Sequence, residues 1–164
     1  YRRGQKLRDI IAEYEQKHSE FTLSYFDGED QELTPKLRDF VLHQSLFGGN
    51  RFGVLRSPEC AVGDVTEMAQ SLLNVKGTTL AILSDVKLGA PWEFLKEATI
   101  QKFPALSSEQ FRAFLAREAV RRGIRLDAAV ARSLVELYRD DTWGAMQELE
   151  KYALGGASSG PEDR

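Results

Sequence analysis

The chain has little of several residue types that mark particular classes of protein. Its one cysteine, Cys60, excludes a disulfide within the 164 residues and fits a cytosolic location. The longest apolar run, around residues 80–83, is far too short to span a bilayer, and we find no signal-peptide pattern. The formal net charge of −3 offers no basic surplus for nucleic acid. The 42% hydrophobic and 29% charged residues are typical of an ordinary globular protein.

Helix-like and strand-like segments alternate through the first 104 residues. Helices are predicted at 5–17, from Thr34 as N-cap to about 43–45, and at 65–73, with strands at 21–26, 52–55 and 78–83. A short helix at 91–98 leads to 99–103. The stretch 78–83 is apolar on both faces, which predicts a central parallel strand covered by helices. The alternation predicts an α/β fold with a parallel sheet flanked by helices.

The pattern changes after Pro104 to three helices without strands. Ser107 and Gln110 form a capping box, Asp127 caps the second helix, and Asp141 or Thr142 caps the third. The expected inward side chains are Phe111, Phe114, Leu115, Ala119, Val130, Leu134, Leu137, Met146, Leu149 and Leu154. We therefore predict an α/β domain at 1–104, a small three-helix lid domain at 105–154 and a flexible tail at 155–164.

A parallel sheet followed by a three-helix lid is the outline of an AAA+ module, so ATPase residues should be identifiable. A glycine-rich loop ending in Lys and Ser/Thr, which a phosphate cradle needs, is absent from residues 1–164. The strand end that should carry a magnesium-binding carboxylate reads Leu55-Arg56-Ser57. The acidic cluster of Asp27, Glu29 and Asp30 follows an earlier strand and indicates a solvated turn. The sequence therefore predicts neither ATP hydrolysis nor a metal or cofactor site.

Other residues that could carry chemistry have simpler interpretations. His18 and His43 have no paired nucleophile in sequence, and Cys60 has no cationic neighbour to activate its thiol. We interpret Trp92 and Trp143 as core or domain-contact anchors. The cluster of Arg121, Arg122 and Arg125 lies at a helix end, where capping of carbonyl groups explains it, with DNA-backbone contact as the alternative. We predict no catalytic residue.

One stretch, "HQSLFGGNRFGVLRSP" at 43–58, lacks an explanation of this kind. It sets Leu46 and Phe47 directly before Gly48 and Gly49, where a polar turn would be expected. The two apolar side chains are either buried in the core or bound by something outside the chain. From the residues alone, burial of Phe47 is the favoured alternative.

The segments "FDGED", "QSLFGGNRFGVLR" and "MQELEKYAL" together resemble the delta subunit of the bacterial DNA polymerase III clamp loader. The resemblance runs from Tyr1 to about Leu154 and covers the first two of that family's three domains. It implies an inactive AAA+-like fold, with the first strand and a degenerate phosphate loop upstream of Tyr1. Where active clamp loaders carry a nucleotide-contacting arginine, this chain has Trp143.

The resemblance also implies a function and a binding site. The expected role is a non-catalytic, cytoplasmic subunit of the DNA polymerase III holoenzyme that binds and opens the ring-shaped sliding clamp for loading onto primed DNA. The clamp-binding residues would be Leu46 and Phe47, which we call the apolar wedge, with Gln44 and Ser45 leading into it and Gly48 and Gly49 as a hinge. Gln44 stands where some relatives place an apolar residue.

The partners implied are the sliding clamp (beta), other clamp-loader subunits that hydrolyse ATP, and DNA through the assembled complex. No membrane and no cofactor is implied. Two alternatives stay open: an AAA+ ATPase whose phosphate loop lies upstream of Tyr1, and an AAA+-like scaffold without a clamp partner. In the scaffold, Leu46 and Phe47 would belong to the core.

Overall fold

The computed structural model describes residues 1–42, 49–73 and 75–156, and the side chains of these up to Leu154. In chain order the elements are α1 (Arg2–Lys17), β1 (Phe21–Asp27), α2 (Leu33–Leu42), β2 (Asn50–Arg56), a 3-10 helix (Pro58–Cys60), α3 (Val65–Leu72), β3 (Thr78–Leu83), a second 3-10 helix (Ala90–Glu97), α4 (Ser108–Arg121), α5 (Ala128–Tyr138) and α6 (Thr142–Gly156). The α/β class with helices after the sheet is confirmed. No helix in these ranges is long and apolar enough to cross a membrane.

The three described strands form one parallel sheet in the order β1-β2-β3. Among the three described strands β2 lies in the middle and β3 at one side, so the expectation that 78–83 is the central strand does not hold for the described sheet. The two-sided apolar character of β3 has another cause. Leu80 and Ile82 pack into the cluster with α2 and α3, while Ala81 and Leu83 pack into the cluster with α1. Apolar residues on both faces therefore report helices above and below the strand, not neighbouring strands on both sides.

Helices cover both faces of the sheet. On one face, Leu7 of α1 packs with Phe52 and Val54 of β2. On the other, Leu37 and Phe40 of α2 join Leu55 and the apolar side of α3. Phe52, Val54 and Leu55 are fully buried, as expected for a strand enclosed by helices.

The start of α2 differs from the predicted cap. The helix begins at Leu33, so Thr34 and Pro35 both lie in its first turn. The turn before it is closed by Asp30, whose carbonyl accepts from the Leu33 amide and whose carboxylate accepts from the Glu32 amide. Proline is tolerated in a first turn because its missing N–H has no partner there.

The segment after β3 also departs from the predicted helix. The predicted helix at 91–98 is a 3-10 helix with non-helical torsions at Trp92, and 99–107 contains neither helix nor strand. Trp92 is buried against the α2 and α3 cluster, as the core interpretation requires.

The chain forms two compact units, Arg3–Gln101 and Tyr1–Arg2 with Lys102–Arg164. In the second, helical unit, the fully buried side chains come from α4 and α6, and include Phe111, Leu115, Met146 and Leu149. The capping box of Ser107 and Gln110 is present, and Asp127 accepts from the Ala129 amide at 2.7 Å. At α6, Asp141 is the residue whose side chain accepts from the Trp143 and Gly144 amides.

Three apolar residues of the helical unit are more exposed than core side chains would be. Leu137 and Leu154 were expected inward but are 75% and 78% exposed. On α5 the buried face runs through Leu134 and Val135 to Tyr138, which takes the place expected for Leu137. Trp143 is 58% exposed and is not a core anchor, although its ring lies 6.3 Å from that of Tyr1.

Arg122 contacts a carbonyl at the end of α4, with Nη1 3.5 Å from Glu118 O, and it also pairs with buried and exposed acidic side chains. Its guanidinium bonds the Glu118 carboxylate at 2.5 Å and the Tyr1 hydroxyl, and lies 3.6 Å from a carboxylate oxygen of Glu150. Glu118 is buried, so the arginine and the hydroxyl of Tyr1 compensate a carboxylate inside the helical unit.

Candidate functional site

Most of the predicted clamp-binding residues lie outside the described part of the chain. Gln44, Ser45, Leu46, Phe47 and Gly48 fall there, as does His43. Gly49 is described: it is exposed, and β2 begins at the next residue. The structure therefore describes the residues on either side of the segment that contains the apolar wedge, Leu42 and Gly49, and their surroundings.

Leu42 and Gly49, the described residues on each side, lie at the edge of the sheet where its parallel strands begin. There Phe21 of β1 pairs with Asn50 of β2, and Arg51 pairs with Thr78 of β3. In a parallel sheet with helical crossovers, each helix ends near the start of the strand that follows it. We call the edge of the sheet at which the strands begin, marked by Phe21, Asn50 and Thr78, the amino edge.

A buried arginine lies at the centre of the amino edge. Arg51, the second residue of β2, is only 6% exposed. Its Nη1 donates to the Phe40 carbonyl in the last turn of α2, and its Nη2 donates to Thr78 Oγ1 at 3.1 Å. The guanidinium carbon lies 5.0 Å from the centre of the Phe40 ring, within range of a cation–π interaction. The side chain thus joins the end of α2 to the start of β3.

Our sequence reasoning missed Arg51. The signal that could have found it is a charged residue directly before the apolar run of a buried strand, "NRFGVL". A charge at such a position needs partners inside the protein, and these have to come from neighbouring elements.

Two further contacts order the same edge. Asn50 Nδ2 lies 2.9 Å from His18 Nδ1, so His18 is a hydrogen-bonding residue directly after α1, and its ring lies tilted against that of Tyr14, with 4.3 Å between the ring centres. The Arg51 amide donates to the Gly77 carbonyl at 2.7 Å. Gly77 has φ +71°, and a Cβ there would come within 3.2 Å of Asn50 Oδ1, so a side chain would disturb the start of both strands.

Exposed apolar side chains accompany the amino edge. Leu42, the last residue of α2, is 67% exposed, and Leu73, directly after α3, is 60% exposed. Leu42 stands next to the segment that carries the apolar wedge and was not selected from the sequence. Leu42 lies off the apolar face of its helix formed by Leu37, Phe40 and Val41, and this position could have indicated from the sequence that its side chain is exposed.

The opposite edge, where the strands end, is where open α/β sheets usually bind ligands. Here Arg56, at the end of β2, places its guanidinium 5.6 Å from the centre of the Tyr25 ring. The Gly28 amide donates to the Arg56 carbonyl at 2.8 Å, and a Cβ on Gly28 would lie 1.8 Å from Ser57 O. This close approach of two backbones leaves no room for a side chain at position 28.

The acidic turn that follows β1 is held by local hydrogen bonds. Asp27 accepts from the Glu29 amide at 3.1 Å, and Asp30 bonds Lys36 Nζ at 2.8 Å. The Lys36 hydrogen bond, then the one from the Glu32 amide, lowers the pKa of Asp30. Within the described ranges no group of three or more His, Cys, Asp or Glu side chains is arranged to hold a metal ion.

The environment of Cys60 opposes thiolate formation. The thiol is exposed, and local desolvation followed by the charges of Glu29, Glu59 and Asp27 raises its pKa. A thiol with a raised pKa stays protonated near neutral pH and is a poor nucleophile.

Comparison with known proteins finds similarity to solved structures. No family model and no curated protein matches the chain. Among solved structures, the Bacillus subtilis DNA clamp loader delta protein (YqeN) superposes with a TM-score of 0.56 at 19% sequence identity. The superposition covers 93% of this chain and 50% of the Bacillus protein, so the chain spans half the length of that structure. At this identity the likeness establishes a clamp-loader-like fold.

Proposed function

We propose that this chain acts as a non-catalytic clamp-loader subunit that binds a ring-shaped sliding clamp and favours its open form during loading onto primed DNA. The observation that carries the proposal is the fold likeness to a clamp loader delta protein over 93% of the chain. The "SLFGG" element supports it, because in sequence it joins α2 to β2, and the described residues Leu42 and Gly49 lie at the amino edge, away from the strand ends where nucleotides bind.

In this proposal the apolar wedge makes the central contact. Leu46 and Phe47 would insert into a hydrophobic pocket on the clamp, with Gln44 and Ser45 at its border and Gly48 and Gly49 allowing the element to turn outward. Burying each of the two side chains is worth roughly 1.5–3 kcal/mol before the costs of binding are counted. Leu42 extends the apolar surface on the α2 side, because its side chain is exposed beside this segment.

The mechanism is a shift of a conformational equilibrium. The wedge opens the clamp only to the extent that it binds the open form more tightly than the closed form. Other clamp-loader subunits would hydrolyse ATP and expose or hide the wedge, and DNA would be contacted by the assembled complex. Neither a membrane nor a cofactor is required, and a cytoplasmic location fits this role.

The test is equilibrium binding to the cognate sliding clamp. We expect Leu46→Ala/Phe47→Ala to weaken the affinity at least thirtyfold, roughly the 2 kcal/mol that defines a hot spot. The matched control is Val62→Ala/Val86→Ala, which also truncates two exposed apolar side chains of the same unit. Circular dichroism establishes that both double variants stay folded.

Each other outcome points to a different conclusion. If the wedge variant and the control bind equally well, the contact lies elsewhere on the surface. If the unmodified chain does not bind the clamp, the proposal is wrong and an AAA+-like scaffold is the better description.

A further inference from the structure

The buried guanidinium of Arg51 is costly, and its partners are unusual for a core position. Transferring a charged group out of water costs several kcal/mol unless hydrogen bonds compensate it. A methionine would fill the same space beneath Phe40 without this cost. What only an arginine supplies is a planar fork whose two ends reach oxygens on different elements.

One of these oxygens belongs to α2, which precedes the segment containing the wedge, and the other belongs to β3, which pairs with the strand β2 that follows the segment. Nη1 holds the Phe40 carbonyl, two residues before Leu42, and Nη2 holds Thr78 Oγ1 at the first residue of β3. Arg51 itself is two residues after Gly49, and its amide is fixed to the Gly77 carbonyl. One side chain thereby fixes the last turn of α2 against the first residues of β2 and β3.

We propose that Arg51 is a positioning residue for clamp binding, which sets the two ends of the 43–48 segment at the separation that the clamp recognises. This inference rests on the proposed function. The proposed role requires no contact between Arg51 and the clamp. Its effect is on the fraction of molecules that present the wedge correctly, and the apparent dissociation constant rises in inverse proportion to that fraction.

Two substitutions remove the bridge in graded steps. Arg51→Lys keeps the positive charge, but a single ammonium group cannot reach both the Phe40 carbonyl and Thr78 Oγ1 in the arginine geometry. Thr78→Val removes one acceptor while conserving the side-chain shape. We expect clamp affinity to fall about tenfold for Arg51→Lys and about threefold for Thr78→Val, as the competent fraction decreases.

The chain provides a matched control for each variant. Arg56→Lys makes the same chemical change at the far end of the same strand, where the guanidinium is exposed over Tyr25. Thr79→Val changes the next residue of β3, whose side chain is exposed. Both controls should bind the clamp as the unmodified chain does, at a temperature at which circular dichroism finds every variant folded.

A second readout separates positioning from a purely structural role. Hydrogen exchange of the free chain, followed in peptides covering the last turn of α2 and the start of β2, should accelerate in Arg51→Lys and Thr78→Val but in neither control. A purely structural arginine would lower the melting temperature and leave the clamp affinity of the folded molecules unchanged, and that result would overturn the inference.

The wedge variant distinguishes the remaining outcomes. If the unmodified chain binds the clamp, Leu46→Ala/Phe47→Ala does not, and Arg51→Lys binds normally, the proposed function survives and the role of Arg51 is refuted. If the unmodified chain fails to bind, both proposals are refuted. If Arg51→Lys and Thr78→Val lose clamp affinity and also show faster local hydrogen exchange, both the proposed function and the role of Arg51 are supported.

Discussion

At the residue scale, Gly53 shows how closely α2 approaches the sheet. It lies in the middle of β2, and a Cβ there would be 3.0 Å from Leu80 Cδ1 and 3.2 Å from two ring atoms of Phe40. These contacts are tighter than normal packing allows, so Phe40 would have to move. Phe40 also supplies the carbonyl and the ring that hold Arg51.

We therefore expect Gly53→Ala to lower the free energy of unfolding by about 1–3 kcal/mol, the usual cost of overpacking a core. Urea unfolding followed by circular dichroism measures this difference. Gly89→Ala is the control, because a Cβ at Gly89 meets nothing within 4 Å. Equal stability of the two variants would mean that Phe40 shifts without cost.

Residues whose role depends on distant neighbours were the ones that sequence reasoning missed. Arg51 is explained only by Phe40 and Thr78, which are 11 and 27 positions away. Leu137 fits a helical apolar face in sequence, yet the partly buried Tyr138 packs against the core and Leu137 is exposed. The spacing of apolar residues and the composition indicate which residues can be buried, but the packing of neighbouring elements determines which of them are.

At the scale of elements, local signals were sufficient wherever a few adjacent residues determine the structure. The capping box of Ser107 and Gln110 and the cap at Asp127 are correct because each donor and acceptor lies within three positions. The lateral order of strands has no such local signal, and β3 was placed wrongly for this reason. The choice between Asp141 and Thr142 likewise required the observed hydrogen bonds.

One contact between elements predicts a pH dependence. Glu59, in the 3-10 helix after β2, accepts from Ser84 Oγ at 2.8 Å and from the Asp85 amide at 3.3 Å, just beyond the end of β3. Partial desolvation opposes the ionisation of Glu59 and would raise its pKa. It is outweighed by a hydrogen bond from the backbone of Glu59 itself, by the bonds from Ser84 and Asp85, and by the charge of Arg3, so that the pKa is lowered.

Because the pKa of Glu59 is lower in the folded state than in the unfolded state, its contribution to stability is complete above the unfolded value of about 4.3. It is lost as the pH falls through the lower, folded value. We expect thermal unfolding of the unmodified chain to depend more steeply on pH below about 4.5 than that of Glu59→Gln, since only the former loses these hydrogen bonds to an ionised carboxylate. Glu97→Gln, at an exposed glutamate, should keep the steep dependence of the unmodified chain. Parallel profiles for Glu59→Gln and the unmodified chain would contradict this account.

At the scale of the whole molecule, the fold could be predicted from alternation alone, but the candidate site could not. Helices between short apolar strands indicated a parallel sheet, and the superposition on a clamp loader delta protein agrees with that class. For Leu46 and Phe47, the residues alone leave burial and exposure open and favour burial of Phe47. Only the resemblance of the "SLFGG" element favoured exposure, so the wedge stays a prediction.

The whole-molecule prediction is that the chain binds the clamp without nucleotide. Phosphate binding requires a glycine-rich cradle that residues 1–164 lack, and the end of β2 carries Arg56 and Ser57, which are not magnesium-binding carboxylates. A ligand that binds neither the wedge-exposed nor the wedge-hidden state of a protein cannot change the equilibrium between them. Clamp affinity should therefore be the same with and without saturating magnesium-ATP, and a fluorescent ATP analogue should show no saturable binding to the chain. An ATP-dependent affinity would require a nucleotide site within residues 1–164 that is coupled to the wedge, with the reciprocal effect of the clamp on ATP binding, and it would contradict this prediction.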